Sequence, residues 1–304
     1  MRAVIVRSFG GPEVLEVADV PVPSPGPGQV RIRVEAAAVN PADIATRAGW
    51  LAEGGLMAET PPVGVGWDAA GVVDAVGAGV TGFAAGDRVA GLSDRLDLPA
   101  RTHAEYVVLD ADAVAHTDLD PVEAATLPLN VLTAAQALDL LDLPADATVL
   151  VTGAAGAVGG FAVELAKARG LRVVAAAGDG DEELVRGLGA EIFVPRSAPL
   201  SESVRRAVPG GVDGVLDAAV LGVRALDALR GGGTFVAVIA GAAPPPLRGT
   251  RVVNVWIRAD GARLAELIPQ VTPRVAATLP LTEVAEAHRR VEKGGLRGRL
   301  VLTP

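Results

Sequence analysis

The sequence predicts an α/β protein: a doubly wound parallel sheet preceded by a β-rich region of short strands. Three observations carry this reading. Between residues 148 and 239, apolar runs of strand length alternate with helical periodicities over short links, the pattern of a parallel sheet with crossover helices. A turn rich in glycine and alanine, Gly153-Ala-Ala-Gly156-Ala-Val-Gly159, joins the first of these strands to the first helix. Residues 1–115, in contrast, hold many short strands between Gly and Pro turns, as in a small barrel-like β domain.

The glycine turn is the organising element. Val149, Leu150 and Val151 read as a buried strand, and Val158, Phe161, Ala162, Leu165 and Ala166 recur at helical spacing, so a helix starts at the glycines. A helix N-terminus offers N–H groups and the positive end of its dipole, and residues without bulk let a pyrophosphate come close. Against the spacing G-x-G-x-x-G, Ala154 stands first, followed by Gly156 and Gly159, with Gly153 one place early. Taken alone, the turn also fits a plain tight bend in an alanine-rich chain. Its context of strand, turn and helix points to nucleotide binding, with Gly153, Ala155, Gly156, Ala157, Val158 and Gly159 as the cradle.

Downstream, the pattern gives a strand over 171–177, a helix over 181–188 stopped by Gly189, and a strand over 191–194. A helix over 201–208 ends at Pro209, and a strand over 214–218 and a helix over 223–229 follow. A turn at Gly231, Gly232 and Gly233 leads to a strand over 234–239.

Composition narrows the function classes. At 304 residues, half of them hydrophobic, about two domains with a large core are expected. The chain has no cysteine, which excludes disulfides, thiolate metal sites and a Cys nucleophile. Its three histidines, His103, His116 and His288, are far apart and lack ligand spacing, so no metal site is expected. A net charge of −9 argues against nucleic acid. Residues 1–6 enter a strand pattern directly, and neither a leader pattern nor an uninterrupted apolar span is seen, so a cytoplasmic protein without membrane contact is expected.

In the flanking regions, a strand over 3–6 precedes a loop punctuated by Pro21, Pro23, Pro25 and Pro27. Residues 30–35 alternate strictly as a half-exposed strand, residues 64–77 suggest several short strands with tight glycine turns, and 104–109 read as another strand. Asp120 and Pro121 form an N-cap and first helical position, opening a helix to about residue 143. After a proline-rich loop at 241–246 come a strand over 252–257, a helix over 282–292 and a last strand over 299–302.

With these pieces in place, the chain resembles the medium-chain dehydrogenase/reductase superfamily, in its zinc-independent quinone oxidoreductase branch. The resemblance rests on Ala38-Val-Asn40-Pro41-Ala-Asp43, Gly66-Trp67-Asp68-Ala-Ala-Gly-Val-Val73, Gly86-Asp87-Arg88-Val89, the stretch 127–134, the glycine turn, Leu188-Gly189-Ala190 and the terminal Gly298-Arg299-Leu-Val-Leu302, in the family's order and spacing. It implies a Rossmann dinucleotide domain (118–261) inserted into a GroES-like catalytic domain (1–117 and 262–304), an active site in the cleft between them, and a homodimer. Zinc members carry cysteine where Asn40 stands, histidine where Trp67 stands, and a second cysteine near Leu129 and Asn130; Asp68 matches the acidic position after that histidine. The resemblance therefore implies no catalytic zinc, and without a Lewis acid to hold an alkoxide, reduction of a conjugated acceptor is the better chemistry.

The same comparison nominates site residues. Asn40 would bond the acceptor carbonyl or the nicotinamide ribose, or else only cap its own loop before Pro41. Asp43 would fix that loop or join the site. Asn130 would add a polar contact near the nicotinamide, and Thr133 would reach its amide. Trp67 and Trp50 would form a wall for a flat quinone or simply pack in the core, whereas Trp256 reads as core or a dimer strand. Gly178, Asp179, Ile239 and Arg299 complete the expected cofactor contacts. Tyr106 in its strand and His103 in its loop read as packing.

For the cofactor, Gly178 stands where NAD enzymes place an acid for the ribose diol, which favours NADPH, with NADH possible. Asp179, Asp181, Glu182 and Glu183 follow, and negative charge there opposes a 2′-phosphate. Arg172 and Arg196 are the nearest bases, neither clearly aimed at the site. The reading is a zinc-free NAD(P)H-dependent quinone oxidoreductase, with an enoyl or enone reductase or a non-catalytic nucleotide-binding protein as alternatives.

Overall fold

The structure, a computed structural model, describes residues 1–57, 61–96, 98, 100–239 and 241–304. They divide into a first unit, Met1–Leu129 with Arg258–Pro269 and Pro273–Pro304, and a second, Asn130–Ile257 with Gln270–Thr272.

The first unit opens with β1 (Arg2–Val6), β2 (Leu15–Asp19) and β3 (Gln29–Val39). Helices α1 (Pro41–Ala48) and α2 (Trp50–Glu53) follow, then β4 (Val63–Gly64), β5 (Asp68–Val76), β6 (Arg88–Leu92), β7 (Tyr106–Asp110), β8 (Val114–His116) and α3 (Pro121–Ala124). Helix α4 (Pro128–Leu141) leads to the second unit: β9 (Thr148–Thr152), α5 (Ala157–Ala168), β10 (Arg172–Ala177), α6 (Glu182–Leu188), β11 (Ile192–Pro195), α7 (Leu200–Ala207), β12 (Val212–Asp217), α8 (Val223–Leu226), β13 (Leu229–Ala237) and β14 (Arg251–Asn254). The chain then returns to the first unit with α9 (Gly261–Leu267), β15 (Val275–Pro280), α10 (Val284–Lys293) and β16 (Arg299–Thr303).

In the first unit, β2-β1-β4 form a small antiparallel sheet, and a seven-stranded sheet runs β15-β16-β3-β5-β6-β8 with β7 also on β3. The alternation over 30–35 does what period 2 requires. Val30, Ile32 and Val34 turn inward and pack with Val73, Val89, Val107 and Leu109. The C-terminal β16 pairs with β3 through Leu300↔Val39, Val301↔Ala38 and Leu302↔Ala37, so both chain ends build one sheet.

The second unit holds a six-stranded sheet in the order β11-β10-β9-β12-β13-β14, every pairing parallel. The chain reverses its direction of travel across the sheet at β9. In such sheets the carboxyl ends of the strands flanking that reversal form the ligand crevice. β9 is buried at every position, as strands covered on both faces are.

Four local expectations are corrected. Residues 64–77 do not form several short strands: after β4, β5 runs unbroken from Asp68 to Val76, paired along its length with β3 on one side and β6 on the other. Gly231, Gly232 and Gly233 lie inside β13 and not before it, taken up by a register shift opposite Val212 and Gly214. A Cβ on Gly233 would stand 2.7 Å from the Asp213 carbonyl oxygen, so this close approach of backbones requires glycine. The helix expected from Pro121 to about residue 143 is two helices, α3 and α4. Pro128 lacks an N–H and disfavours helical backbone at Leu127. Helix α8 closes at Leu226 instead of 229.

Among the described residues, Pro121–Leu141, which spans α3 and α4, is a stretch long and apolar enough to cross a membrane, where the sequence suggested none, and 83 % of its apolar window is buried, as befits apolar helices packed in a core. Trp256, read as a core or dimer-strand residue, is 61 % exposed just past β14, which removes the core reading.

Candidate active site and nucleotide site

In the first unit, the nominated residues meet in a buried polar network. Pro41 occupies the first position of α1 and Asn40 caps it, which places Asn40 at the mouth of the β3–α1 turn. The Asp43 carboxylate closes that turn: Oδ2 accepts from Asn40 N at 2.7 Å and Oδ1 from Gly66 N at 2.8 Å. This is the loop-fixing role weighed for Asp43. Asp68, at the start of β5, accepts from Asn40 Nδ2 at 2.6 Å and from the Leu129 backbone N–H at 2.6 Å. Asn40, Asp43 and Asp68 are all fully enclosed.

Burial pushes the Asp68 carboxyl up to about 7, with the Asp43 charge adding to the rise and the bonds from Leu129 and Asn40 opposing it. Arg299, at the start of β16, belongs to the same cluster. Burial pushes its guanidinium down to about 10, and the charges of Asp68 and Asp43 resist that fall. Trp67 is buried beneath Arg101, whose guanidinium carbon lies 4.5 Å from the ring centre, a cation–π contact. Its buried indole Nε1 has no hydrogen-bond partner among the described residues. Trp50 is 60 % exposed at the start of α2, so it is not a core residue. His103 is enclosed, with Nε2 donating to the Ala38 carbonyl at 3.0 Å, and Tyr106 lies in β7 beneath Arg31; both serve packing.

In the second unit, the glycine turn has the expected form. β9 ends at Thr152, Gly153 adopts φ +63°, and Gly156 caps α5 with no side chain closing its end. A Cβ on Gly159 would lie 2.2 Å from the Gly153 carbonyl oxygen, so the helix can start this close to the strand only with glycine there. Ala155 and Ala157 are buried, whereas Gly153, Gly156 and Val158 keep some exposure along the turn. Asn130 and Thr133 lie three residues apart on α4, hence on one face, and both are buried. Ile239, past β13, is 46 % exposed.

A cavity of about 770 Å³ opens at the carboxyl edge of this sheet. Gly153, Ala176, Ala177, Pro195, Ala219 and Leu221 line it, together with Arg196, Ser201 and Arg224. Three of the four acids after Gly178 are engaged by groups of the chain itself. Asp181 Oδ2 accepts from Gly178 N at 2.9 Å, and Asp179 Oδ1 accepts from Ser197 N at 3.0 Å. Glu182 pairs with Arg186 at 2.8 Å along α6.

Sequence reasoning missed the clamp that shapes this edge. Asp217, the last residue of β12, is buried and accepts from Thr152 Oγ1 at 2.6 Å, Leu221 N at 3.1 Å and Gly222 N at 2.8 Å. Thr152 Oγ1 in turn accepts from Ala219 N at 3.0 Å. The loop after β12 is thereby held beside the glycine turn. The signal was an acid at the carboxyl end of a central strand, where such sheets bind ligands.

Residues 26–118 match the family model for the alcohol dehydrogenase GroES-like domain, and residues 188–302 that for the zinc-binding dehydrogenase. The chain is 33 % identical to the chloroplastic NADPH-dependent alkenal/one oxidoreductase of Arabidopsis thaliana, over all of this chain and 80 % of that protein. It is 32 % identical to the quinone oxidoreductase of Pongo abelii, over 99 % of this chain and 97 % of that one. Among solved structures, an NAD-dependent alcohol dehydrogenase superposes with a TM-score of 0.88 at 34 % identity, over the full length of both chains. Two β-rich termini closing one sheet, a parallel sheet with a glycine turn between them, and this likeness along the whole chain place the protein in the medium-chain dehydrogenase/reductase superfamily, among its quinone-oxidoreductase-like members.

Proposed function

We propose that this chain is an NADPH-dependent oxidoreductase that reduces a quinone or a similar conjugated carbonyl without zinc. The observation that carries the reading is the glycine turn opening onto a large cavity at the carboxyl edge of the parallel sheet, in a chain whose relatives are named as quinone and alkenal/one oxidoreductases. The glycine turn and the uncapped start of α5 fit a dinucleotide pyrophosphate. Bound reduced nicotinamide supplies a hydride equivalent, and a proton from solvent completes the reduction.

The zinc that one family description implies does not fit the donors present. An amide at Asn40 and an indole at Trp67 offer no zinc ligand, and the Asn40 amide is already turned onto Asp68. No step is assigned to a metal. In this reading Asp43 and Asp68 fix Asn40, which orients the acceptor carbonyl together with Asn130. Trp67 offers a flat apolar face, Trp50 a second one, and Thr133 holds the nicotinamide amide. Gly178, Asp179, Ile239 and Arg299 complete the cofactor contacts. A cytoplasmic homodimer belongs to the same proposal.

The name of the alkenal/one relative favours a second acceptor class, the β-carbon of an enone. The test pairs NADPH and NADH with a para-quinone and with an α,β-unsaturated ketone, following loss of reduced-nicotinamide absorbance. Turnover of either acceptor is expected, with NADPH the faster donor. No turnover of any pair overturns the proposal.

A further inference from the structure

The named relatives differ on the nucleotide, one NADPH-dependent and one NAD-dependent, and in the sequence the acids after Gly178 oppose a phosphate; in the folded chain two of them are engaged by backbone N–H groups. Asp181 and Asp179 spend a carboxylate oxygen each on backbone N–H groups of Gly178 and Ser197. A carboxylate so engaged is held in place and partly neutralised by its donor. The cavity instead receives bases. In the parallel register, Ala177 of β10 lies opposite Pro195 of β11. The residue after each strand, Gly178 and Arg196, therefore flank the same point of the sheet edge, and Gly178 brings no side chain to it. Arg196 is exposed and lines the cavity, with no hydrogen bond or ion pair to a described residue. Arg224 of α8 lines the same cavity, and its side chain likewise has no such partner among the described residues. Nearly every other surface arginine bonds a carboxylate or carbonyl of its own chain, as Arg172 does to Glu191 at 3.4 Å and Arg205 does to Asp227 and Leu229. The one acid lining the cavity, Asp227, is paired with Arg248 at 3.3 Å.

We propose that Arg196, on the loop after β11, reads the 2′-phosphate of NADPH, with Arg224 as a second base on the same cavity wall. The nucleotide's preference is set by this loop, and the acidic loop after β10 serves as a backbone brace. The guanidinium fork suits a phosphate's oxygens. This inference rests on the nucleotide-site reading above and is independent of what the enzyme reduces.

The test is calorimetric binding of adenosine 2′,5′-bisphosphate and of 5′-AMP, neither of which carries a nicotinamide. The wild-type chain is expected to bind the bisphosphate at least about tenfold more tightly, and that preference should shrink as salt is raised. Arg196→Gln should erase most of the preference while leaving 5′-AMP affinity unchanged, Arg224→Gln should reduce it, and Arg172→Gln, outside the cavity, should leave it intact. Equal wild-type binding of the two probes, or a preference that survives in the Arg196→Gln and Arg224→Gln double variant, overturns the assignment. Binding of neither probe overturns the nucleotide site with it. A chain that keeps the phosphate preference but reduces no quinone or enone sinks only the proposed reaction.

Discussion

The first unit's network and the second unit's cavity use charged groups in opposite ways. Asp68 and Asp43 are enclosed, and each carboxylate oxygen accepts a bond from the chain's own backbone or amides. The side chains of Arg196 and Arg224, at a cavity wall, have no hydrogen-bond or ion-pair partner among the described residues. A buried group satisfied by its own chain builds the site, because leaving it unpaired would cost stability. A polar group left at a cavity wall is available to a ligand. The charged residues of the two units thus sort into those that hold the turn and those placed to meet a nucleotide, and each expectation below sharpens or breaks that division.

The largest effect is expected at Asp68. Asp68→Ala removes the carboxylate that accepts from the Asn40 amide and the Leu129 N–H in a closed site, at a cost on the order of 3 kcal/mol for two lost hydrogen bonds to a carboxylate. Chemical denaturation measures it, and a loss below about 1 kcal/mol would show that the network is dispensable. Asp68 also carries a pH dependence. Its folded-state pKa of about 7 lies above the value near 4 of an unfolded Asp. The protonated form is therefore the one folding favours. That contribution is complete below about pH 4 and is lost as pH rises through about 7. Wild-type stability relative to Asp68→Asn should accordingly decline across that window, and a flat difference would mean the carboxyl titrates normally.

Next is Gly159. Its Cβ would fall 2.2 Å from the Gly153 oxygen and 3.0 Å from Ala154 Cα, both backbone atoms. Gly159→Ala must therefore move the turn. A loss of about 2 kcal/mol in stability is expected, along with at least a tenfold loss of nucleotide affinity, read by calorimetry with 5′-AMP. Unchanged affinity would show that the turn does not form the cradle.

Much of this was legible in the sequence, for identifiable reasons. Alternating strand and helix periods are local, so the doubly wound sheet, the glycine turn and the Asp120–Pro121 helix start could be read directly. The return of the C-terminal strand to the first domain was legible only through family resemblance, since the Leu300↔Val39 pairing joins distant residues. The three glycines of β13 misled because a bulge inside a strand and a turn before it share one composition. Arg196 could be named from the sequence as a nearby base but not aimed, because its position depends on a register between two strands. The acids after Gly178 misled for a different reason: as a run of charges they look repulsive, yet Asp181 turns back onto the N–H three residues earlier, a short-range bond that Asp side chains favour in turns.

His288 is the exception that tests the division from the enclosed side. It is fully buried on α10, neither ring nitrogen has a partner among the described residues, and burial, then the charges of His103 and Arg47, push its pKa down to about 2. It is neutral and acts as a shape in the core. Replacing it with an apolar residue of similar size removes two unsatisfied polar atoms. His288→Leu should therefore stabilise the chain by about 1–2 kcal/mol, read from the denaturation midpoint, and a destabilised variant would mean that those nitrogens have partners.

The smallest effect tests the division from the cavity side. Val220 has φ +57°, a conformation costly for a β-branched residue, and it is 47 % exposed. Its neighbours explain the strain: Ala219 N bonds Thr152 Oγ1, while Leu221 N and Gly222 N bond Asp217, so the loop closes around an anchored carboxylate. Ala219 and Leu221 also line the cavity. The strain is thus a consequence of shaping that wall, and a residue that tolerates positive φ should relieve it without altering the wall. Val220→Asn is expected to add up to about 1 kcal/mol of stability, with 5′-AMP affinity unchanged. A gain in stability joined to a loss of nucleotide affinity would show instead that the valine side chain itself belongs to the site.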